Sequence, residues 1–287
     1  MNASYNFRED LILRAAYYTS VGRPNFNQYA GGVSLPDPEN PQPGDQITLS
    51  NASIKPWSAR TFNVRLEHYL AGVGQISLGA FRRDFDNFFS DAQALGNTED
   101  ILEQYSIDPK VYGVYPIVTQ FNSASTVRMQ GLTGSYKQAL TFLPRWARGV
   151  QAFANFSAQR ILGPESSTNF PGFVPRTANW GLSLDRERYS LRANWNYRGR
   201  QRRGLIASTP TNSIEPGTFT WWSKRLALDV NGEYKFTKRL SFYVAIRNIG
   251  SEPEDVKVFG PSTPAVARFR QRIDYSSLWS FGVKGTF

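Results

Sequence analysis

Residues 177–199 read TANWGLSLDRERYSLRANWNYRG. Ala178, Trp180, Leu182 and Leu184 fall on one parity; after a short turn Tyr189, Leu191, Ala193, Trp195 and Tyr197 continue it. The opposite parity carries Thr177, Asn179, Ser183, Ser190, Arg192, Asn194, Asn196 and Arg198. A period of two with one apolar and one polar face predicts two strands of a hairpin. If the apolar face meets lipid, an arginine on that face near the midplane would cost about 2–4 kcal/mol. Arg192 and Arg198 therefore point inward, and the tryptophans point outward.

The same alternation recurs on both sides. Strands are predicted over residues 11–20, 60–70, 75–85, 126–140, 149–160, 177–185, 189–199, 225–236 and 240–249, and over the terminal run YSSLWSFGVKGTF, 275–287. In that last run Trp279, Phe281, Val283 and Phe287 share one face, while residues 126–140 have no properly apolar parity. About ten strands result, each near the roughly 9–11 residues a tilted spanning strand needs. Tight turns such as Ala71-Gly72-Val73-Gly74 alternate with long polar connections such as Gly22–Ala59, which holds Pro24, Pro36, Pro38, Pro41 and Pro43. Counting back from the C-terminus puts every short turn on one side. The pattern predicts an all-β, antiparallel transmembrane β-barrel with short periplasmic turns and long extracellular loops.

Composition narrows the chemistry. The chain has 287 residues, a formal net charge of +10, 20 Phe, 14 Tyr, 7 Trp, one histidine (His68) and no cysteine. No run of about 18 apolar residues occurs, so a spanning helix is excluded, while alternating strands are not. Without cysteine there is no disulfide, thiolate metal site or cysteine nucleophile. No Gly-x-Ser-x-Gly motif is present, and His68 falls on the apolar parity near a turn. Neither a catalytic residue nor a metal ligand or cofactor site is expected. Asp84, Asp86 and Asp91 lack the spacing of a calcium loop and read as a solvated rim.

Candidate ligand-facing residues are Arg14, Arg65, Arg192, Arg198, Trp221 and Trp222. Inward arginines commonly pair with wall carboxylates, here Glu67, Asp229 and Glu233, and tryptophans before a strand commonly anchor at the membrane interface. The basic run Arg198–Arg203 suits lipopolysaccharide phosphates or a carboxylate-bearing ligand better than nucleic acid, for which no motif accompanies it.

The runs SVGRPNFNQY (20–29) and SNASIKPWSARTFNVRLEHYLAGVGQISLGAFRRDFDNFFSD (50–91) resemble the C-terminal barrel of TonB-dependent outer-membrane receptors. Arg23-Pro24, Asn51 with Lys55-Pro56, Glu67-His68-Tyr69, the segment Phe81 to Phe89, Arg247-Asn248-Ile249 and the terminal Phe287 carry the resemblance. Ala52 and Gly250 depart from it. The resemblance implies a barrel of about 22 strands around a plug. Residues 1–287 are then expected to be the C-terminal part of such a barrel, a fragment lacking plug and signal peptide. The implied function is active uptake of a siderophore, cobalamin or saccharide. The implied partners are outer-membrane lipid and lipopolysaccharide, the scarce-nutrient ligand, and the TonB complex acting through the plug. The barrel-insertion machinery would read Trp279, Phe281, Val283 and Phe287. Two other readings are a closed ten-stranded outer-membrane enzyme and a secreted carbohydrate-binding β-protein.

Overall fold

The structure, a computed structural model, describes residues 1–42, 45–93, 98–163, 173–206, 214–215 and 217–285. Eleven strands form one antiparallel sheet in strict chain order: β1 (Asn2–Arg8), β2 (Leu11–Gly22), β3 (Trp57–Leu70), β4 (Gly74–Asp86), β5 (Val127–Ala139), β6 (Val150–Leu162), β7 (Arg176–Asp185), β8 (Tyr189–Arg198), β9 (Arg225–Lys235), β10 (Leu240–Arg247) and β11 (Leu278–Gly285). Ten are the predicted strands. The addition is β1, whose Ala3, Tyr5 and Phe7 alternate with Asn2, Ser4 and Asn6. No pairing joins β1 to β11 among the described residues, so the sheet is open.

The register carries the two-faced pattern from strand to strand. Trp180 lies opposite Trp195 and Leu182 opposite Ala193, while Asn179 lies opposite Asn196 and Ser183 opposite Arg192. The two tryptophan rings stack at 6.5 Å, the cross-strand packing that stabilises a sheet face. On the other face the Asn179 amide donates to Asn194 at 3.0 Å and to Asn196 at 2.5 Å. At Gly134 a Cβ would sit 2.0 Å from the Phe156 ring, so this glycine lets an aromatic from the next strand lie across the sheet.

Exposure on the two faces is inverted relative to a water-soluble protein. Phe281, Leu132 and Leu78 on the apolar face are 73%, 58% and 56% exposed, whereas Thr61 and Glu67 on the polar face are 1% and 6% exposed. Burial of apolar surface is the main driving force for folding in water. A wall that presents its large apolar side chains outward needs an apolar solvent there. No helix among the described residues is long and apolar enough to cross a membrane.

The ends of the strands differ. Short turns join β1 to β2, β3 to β4, β5 to β6, β7 to β8 and β9 to β10, and all the long connections emerge at the other end. The turn after β3 places Gly72 and Val73 at φ of 84° and 73°. The terminal strand starts at Leu278 and not at 275. Ser276 sits at φ 53° with its N–H on the Asp274 carboxylate at 3.0 Å, which takes Tyr275 out of the strand. Phe287 lies outside the described residues.

Two four-stranded sheets are built from the long connections. The first joins Val33–Ser34, Ile47–Leu49, Ile117–Asn122 and Phe89–Gln93; the second joins Gln201–Leu205, Phe219–Trp222, Glu254–Phe259 and Phe269–Ile273. The first carries its own apolar core: Ile47, Leu102 and Ile117 are buried, with Val33, Leu49, Ile107 and Tyr115 around them. A second buried cluster, Ala59, Phe85 and Val127, lies at the loop ends of β3, β4 and β5, so conventional apolar burial gathers in the loops and at the end of the wall that meets them.

These two solvents make separable predictions. Leu182→Arg on the apolar face should cost about 2–4 kcal/mol in lipid, read as a lower urea midpoint in membrane vesicles. Leu102→Ala should cost about 2–5 kcal/mol, confined to the first loop sheet. Hydrogen exchange should speed up over residues 98–122 and stay unchanged in β6 to β9.

Candidate ligand-recognition site

Pairing of β2 with β3 sets Arg14 directly opposite Arg65 on the polar face. Two facing cations need a counter-charge, and Glu67 supplies it. Its carboxylate accepts from Arg14 Nε at 3.1 Å and from the Tyr69 hydroxyl at 3.1 Å, with Arg65 Nη1 at 3.8 Å. The other two expected carboxylates are engaged elsewhere. Asp229 accepts from the Asn196 side chain at 3.1 Å and the Asn248 N–H at 2.9 Å, and Glu233 accepts from Lys284 at 2.9 Å. Arg192 faces Ser183 and Asn231 and has no ion-pair partner among the described residues. The three arginines Arg14, Arg65 and Arg192 are therefore not one constellation.

A tighter group forms where β8 and β9 enter the second loop sheet. Arg198 ends β8 and lies opposite Arg225, the first residue of β9. Arg198 Nη2 donates to Glu254, a carboxylate only 3% exposed at the start of Glu254–Phe259. The Tyr275 hydroxyl, freed by the turn at Ser276, reaches the other Glu254 oxygen at 3.4 Å. The Trp222 ring lies under two guanidinium groups, Arg203 at 4.0 Å and Arg198 at 4.9 Å, and Arg225 lies over Tyr275 at 5.1 Å. One guanidinium, that of Arg198, thus meets the Glu254 carboxylate, while those of Arg203 and Arg225 lie on the neighbouring rings. Stacking on a ring holds a guanidinium without neutralising it, leaving its N–H edge available to an anion. The Nε–H groups of Arg198 and Arg225 are buried without an acceptor among the described residues.

Trp221 belongs to the opposite face. Successive residues of a strand point to opposite sides, so Trp221 packs against Phe259 at 6.0 Å under Arg200 at 4.6 Å, away from Trp222. The two adjacent tryptophans cannot act on one ligand. Arg203 belongs to the basic run Arg198–Arg203 that the sequence offers for phosphates or a carboxylate-bearing ligand; Arg225, Glu254 and Tyr275 were not among the sequence candidates, because Glu254 falls in a segment read as loop and Tyr275 in the run read as the terminal strand. The available signal was the alternation in Glu254–Phe259, which is only six residues long.

Near the turn end, His68 lies opposite Leu11 and Ile76 on the apolar face, with Nδ1 3.1 Å from the Asp10 carbonyl oxygen. Asp84 bridges Arg82 and Arg128, and Asp86 meets Arg60 and Thr126; the Asp91 side chain lies outside the described residues. No cluster of three or more His, Cys, Asp or Glu suited to a metal occurs among the described residues.

A model of the TonB dependent receptor-like β-barrel family matches residues 1–249. The chain belongs to this family. The TonB-dependent receptors are outer-membrane β-barrels with receptor and transport function; members bind siderophores and interact with TonB. Among solved structures, the chain aligns over its full length with the ferric enterobactin receptor PfeA of Pseudomonas aeruginosa, at 15% identity, TM-score 0.63 and 39% of that chain. It aligns likewise with the copper transporter OprC, at 14% identity, TM-score 0.59 and 38% of that chain. In the complex of FpvAI with pyocin S2, 99% of this chain aligns with 32% of that one, at 12% identity and TM-score 0.60. At these identities the likeness is one of fold. This receptor barrel chain therefore spans less than half the length of those proteins. No curated protein sequence matches it.

The second loop sheet gives a pH prediction. Arg272 donates to Asp255 from Nε at 2.8 Å and Nη2 at 3.2 Å, and holds that carboxyl below its usual range. A depressed folded-state pKa stabilises fully above the unfolded value of about 3.9 and is lost as pH falls through the lower folded value. Hydrogen exchange across Glu254–Phe259 and Phe269–Ile273, corrected for intrinsic rate, should accelerate below about pH 4. Asp255→Asn should flatten that acid limb.

Proposed function

We propose that this chain is the ligand-selecting wall of an outer-membrane TonB-dependent transporter, taking up a scarce anionic nutrient of the ferric-siderophore class. One observation carries the ligand reading: at the loop end Arg198 and Arg203 lie on Trp222 and Arg225 on Tyr275, and among the described residues only Arg198 of the three is paired with a carboxylate, Glu254. A polyanionic chelate would gain charge-assisted hydrogen bonds from such a set. Arg14 and Arg65, tied to Glu67, would shape the interior nearer the turns, and Arg192 would contribute a further interior cation. Trp221, on the other face, serves interface anchoring in this reading.

Residues 1–287 would form one arc of a larger barrel. The unpaired edges of β1 and β11 support this, since an exposed edge is a template for further pairing. In hydrocarbon such an edge leaves amides unsatisfied. A plug and the TonB complex would belong to the complete receptor. Trp279, Phe281 and Val283 on the apolar face of β11, with Phe287, would present the C-terminal strand to the insertion machinery.

The test is binding of a panel of radiolabelled ferric siderophores to the complete receptor in outer-membrane vesicles. Arg198→Ala combined with Arg203→Ala should raise the Kd for an anionic chelate at least about tenfold. Glu254→Gln should disturb the same ligand by releasing Arg198. Unchanged affinity for every anionic ligand in both variants, with a neutral saccharide bound instead, would overturn the assignment.

A further inference from the structure

The arginines of the mouth and those near the turns stand on one registered row of the polar face. Arg14 pairs with Arg65, Arg65 with Gly79, Gly79 with Thr133 and Thr133 with Ser157. Ser157 pairs in turn with Thr177, Thr177 with Arg198 and Arg198 with Arg225. The row crosses β2 to β9 and is not level. Arg14 is the fourth residue of β2 and Arg198 the tenth and last of β8, each strand being counted from a short turn. The difference is about 20 Å along the strands at about 3.3 Å per residue. The row therefore descends from the loop end towards the turns, as register does in a tilted barrel wall.

The two ends carry the same chemistry. At the mouth Arg198 faces Arg225, Glu254 takes Arg198, and the Tyr275 hydroxyl lies 3.4 Å from that carboxylate. Near the turns Arg14 faces Arg65, Glu67 takes Arg14 at 3.1 Å, and the Tyr69 hydroxyl donates to Glu67 at 3.1 Å. Each end adds a guanidinium stacked on a ring, Arg203 on Trp222 at 4.0 Å and Arg83 on Phe81 at 5.3 Å. Arg83 has no carboxylate partner among the described residues, and its Nε–H is buried without an acceptor there. Between the ends the row offers Gly79, Thr133, Ser157 and Thr177, all uncharged and none larger than threonine. A groove of about 670 Å³ lies along its lower half, lined by Arg14, Arg65, Gly79, Arg83, Thr133 and Ser157. Three arginines against Glu67 leave this groove cationic.

We propose that the groove is a second, transient site for the anionic chelate that the mouth binds, reached along the hydroxyl row. The proposal rests on the reading of the mouth given above. Repetition favours this occupant, because a solute selected by guanidinium groups at one end meets the same groups at the other. A cleft lined by one sign of charge concentrates the opposite sign. The hydroxyls between can bond the oxygens of a chelate without retaining it. Passage needs sites strong enough to enter and weak enough to leave.

The experiment measures uptake of a radiolabelled anionic ferric siderophore, the tightest binder of the panel used for the mouth. Cells carrying the complete receptor are compared with and without a protonophore, which stops uptake and leaves binding. Arg65→Ala combined with Arg83→Ala should slow energised uptake at least about tenfold, the order expected from losing charge-assisted contacts on the path. The Kd measured with the protonophore should shift by less than about twofold. Arg65→Lys with Arg83→Lys keeps both charges and should restore most of the uptake. Thr133→Phe with Ser157→Phe fills the row, keeps the arginines and should block uptake. Heat-modifiable gel mobility shows that each variant folds. Wild-type uptake in the double alanine variant would overturn the proposal. So would a Kd raised as much as uptake is slowed, which makes the groove part of the first site. Leakage of vancomycin into the cells would also overturn it, because the arginines would then be holding a plug. Binding by no member of the panel would remove the mouth reading and this site with it.

Discussion

A peptide N–H placed in hydrocarbon has no water to bond, so its partner must be another part of the chain. The eleven-stranded meander meets that demand with neighbours in sequence, each strand pairing with the one before and the one after. Everything else about the wall follows. The side chains are released from holding the sheet together and can match their surroundings, with Leu78, Leu132 and Phe281 turned one way and Thr61, Glu67 and Asn196 the other. Pairing in chain order sends alternate connections to opposite ends, and the long ones all fall at the same end, where they build something of their own.

What they build obeys ordinary aqueous rules. Ile47, Leu102 and Ile117 form a dry centre between segments that are distant in sequence, and Ile47–Leu49 runs parallel to Ile117–Asn122. The second loop sheet brings Glu254 to Arg198 and Tyr275 to Arg225. The recognition chemistry thus depends on contacts across connections, while the wall supplies the fixed points, Arg198 and Arg225, from which those contacts are made.

The division explains what could be read in advance. The wall was legible because most of its strands repeat a period of two for eight residues or more. Trp180, Leu182 and Arg192 sit where parity put them, and Glu67 meets the arginines it was expected to meet. Strand β1 carried the same alternation in Ala3, Tyr5 and Phe7 and was overlooked because it opens the chain. The site was less legible. Its strands are four to six residues long, and its central contacts join residues about fifty apart with no periodic signal. Trp221 and Trp222 were both sequence candidates, and the strand Phe219–Trp222 divides them between two faces.

The dry centre around Leu102 has a consequence for descent. Because that cluster closes on itself, a remodelled loop tip answers to its own small core and leaves the lipid-facing rows untouched. Selection can therefore rewrite what the mouth admits while the membrane goes on receiving the same staves. A lineage of such proteins would drift fastest where it meets its cargo and slowest where it meets fat, with each half free of the other's history.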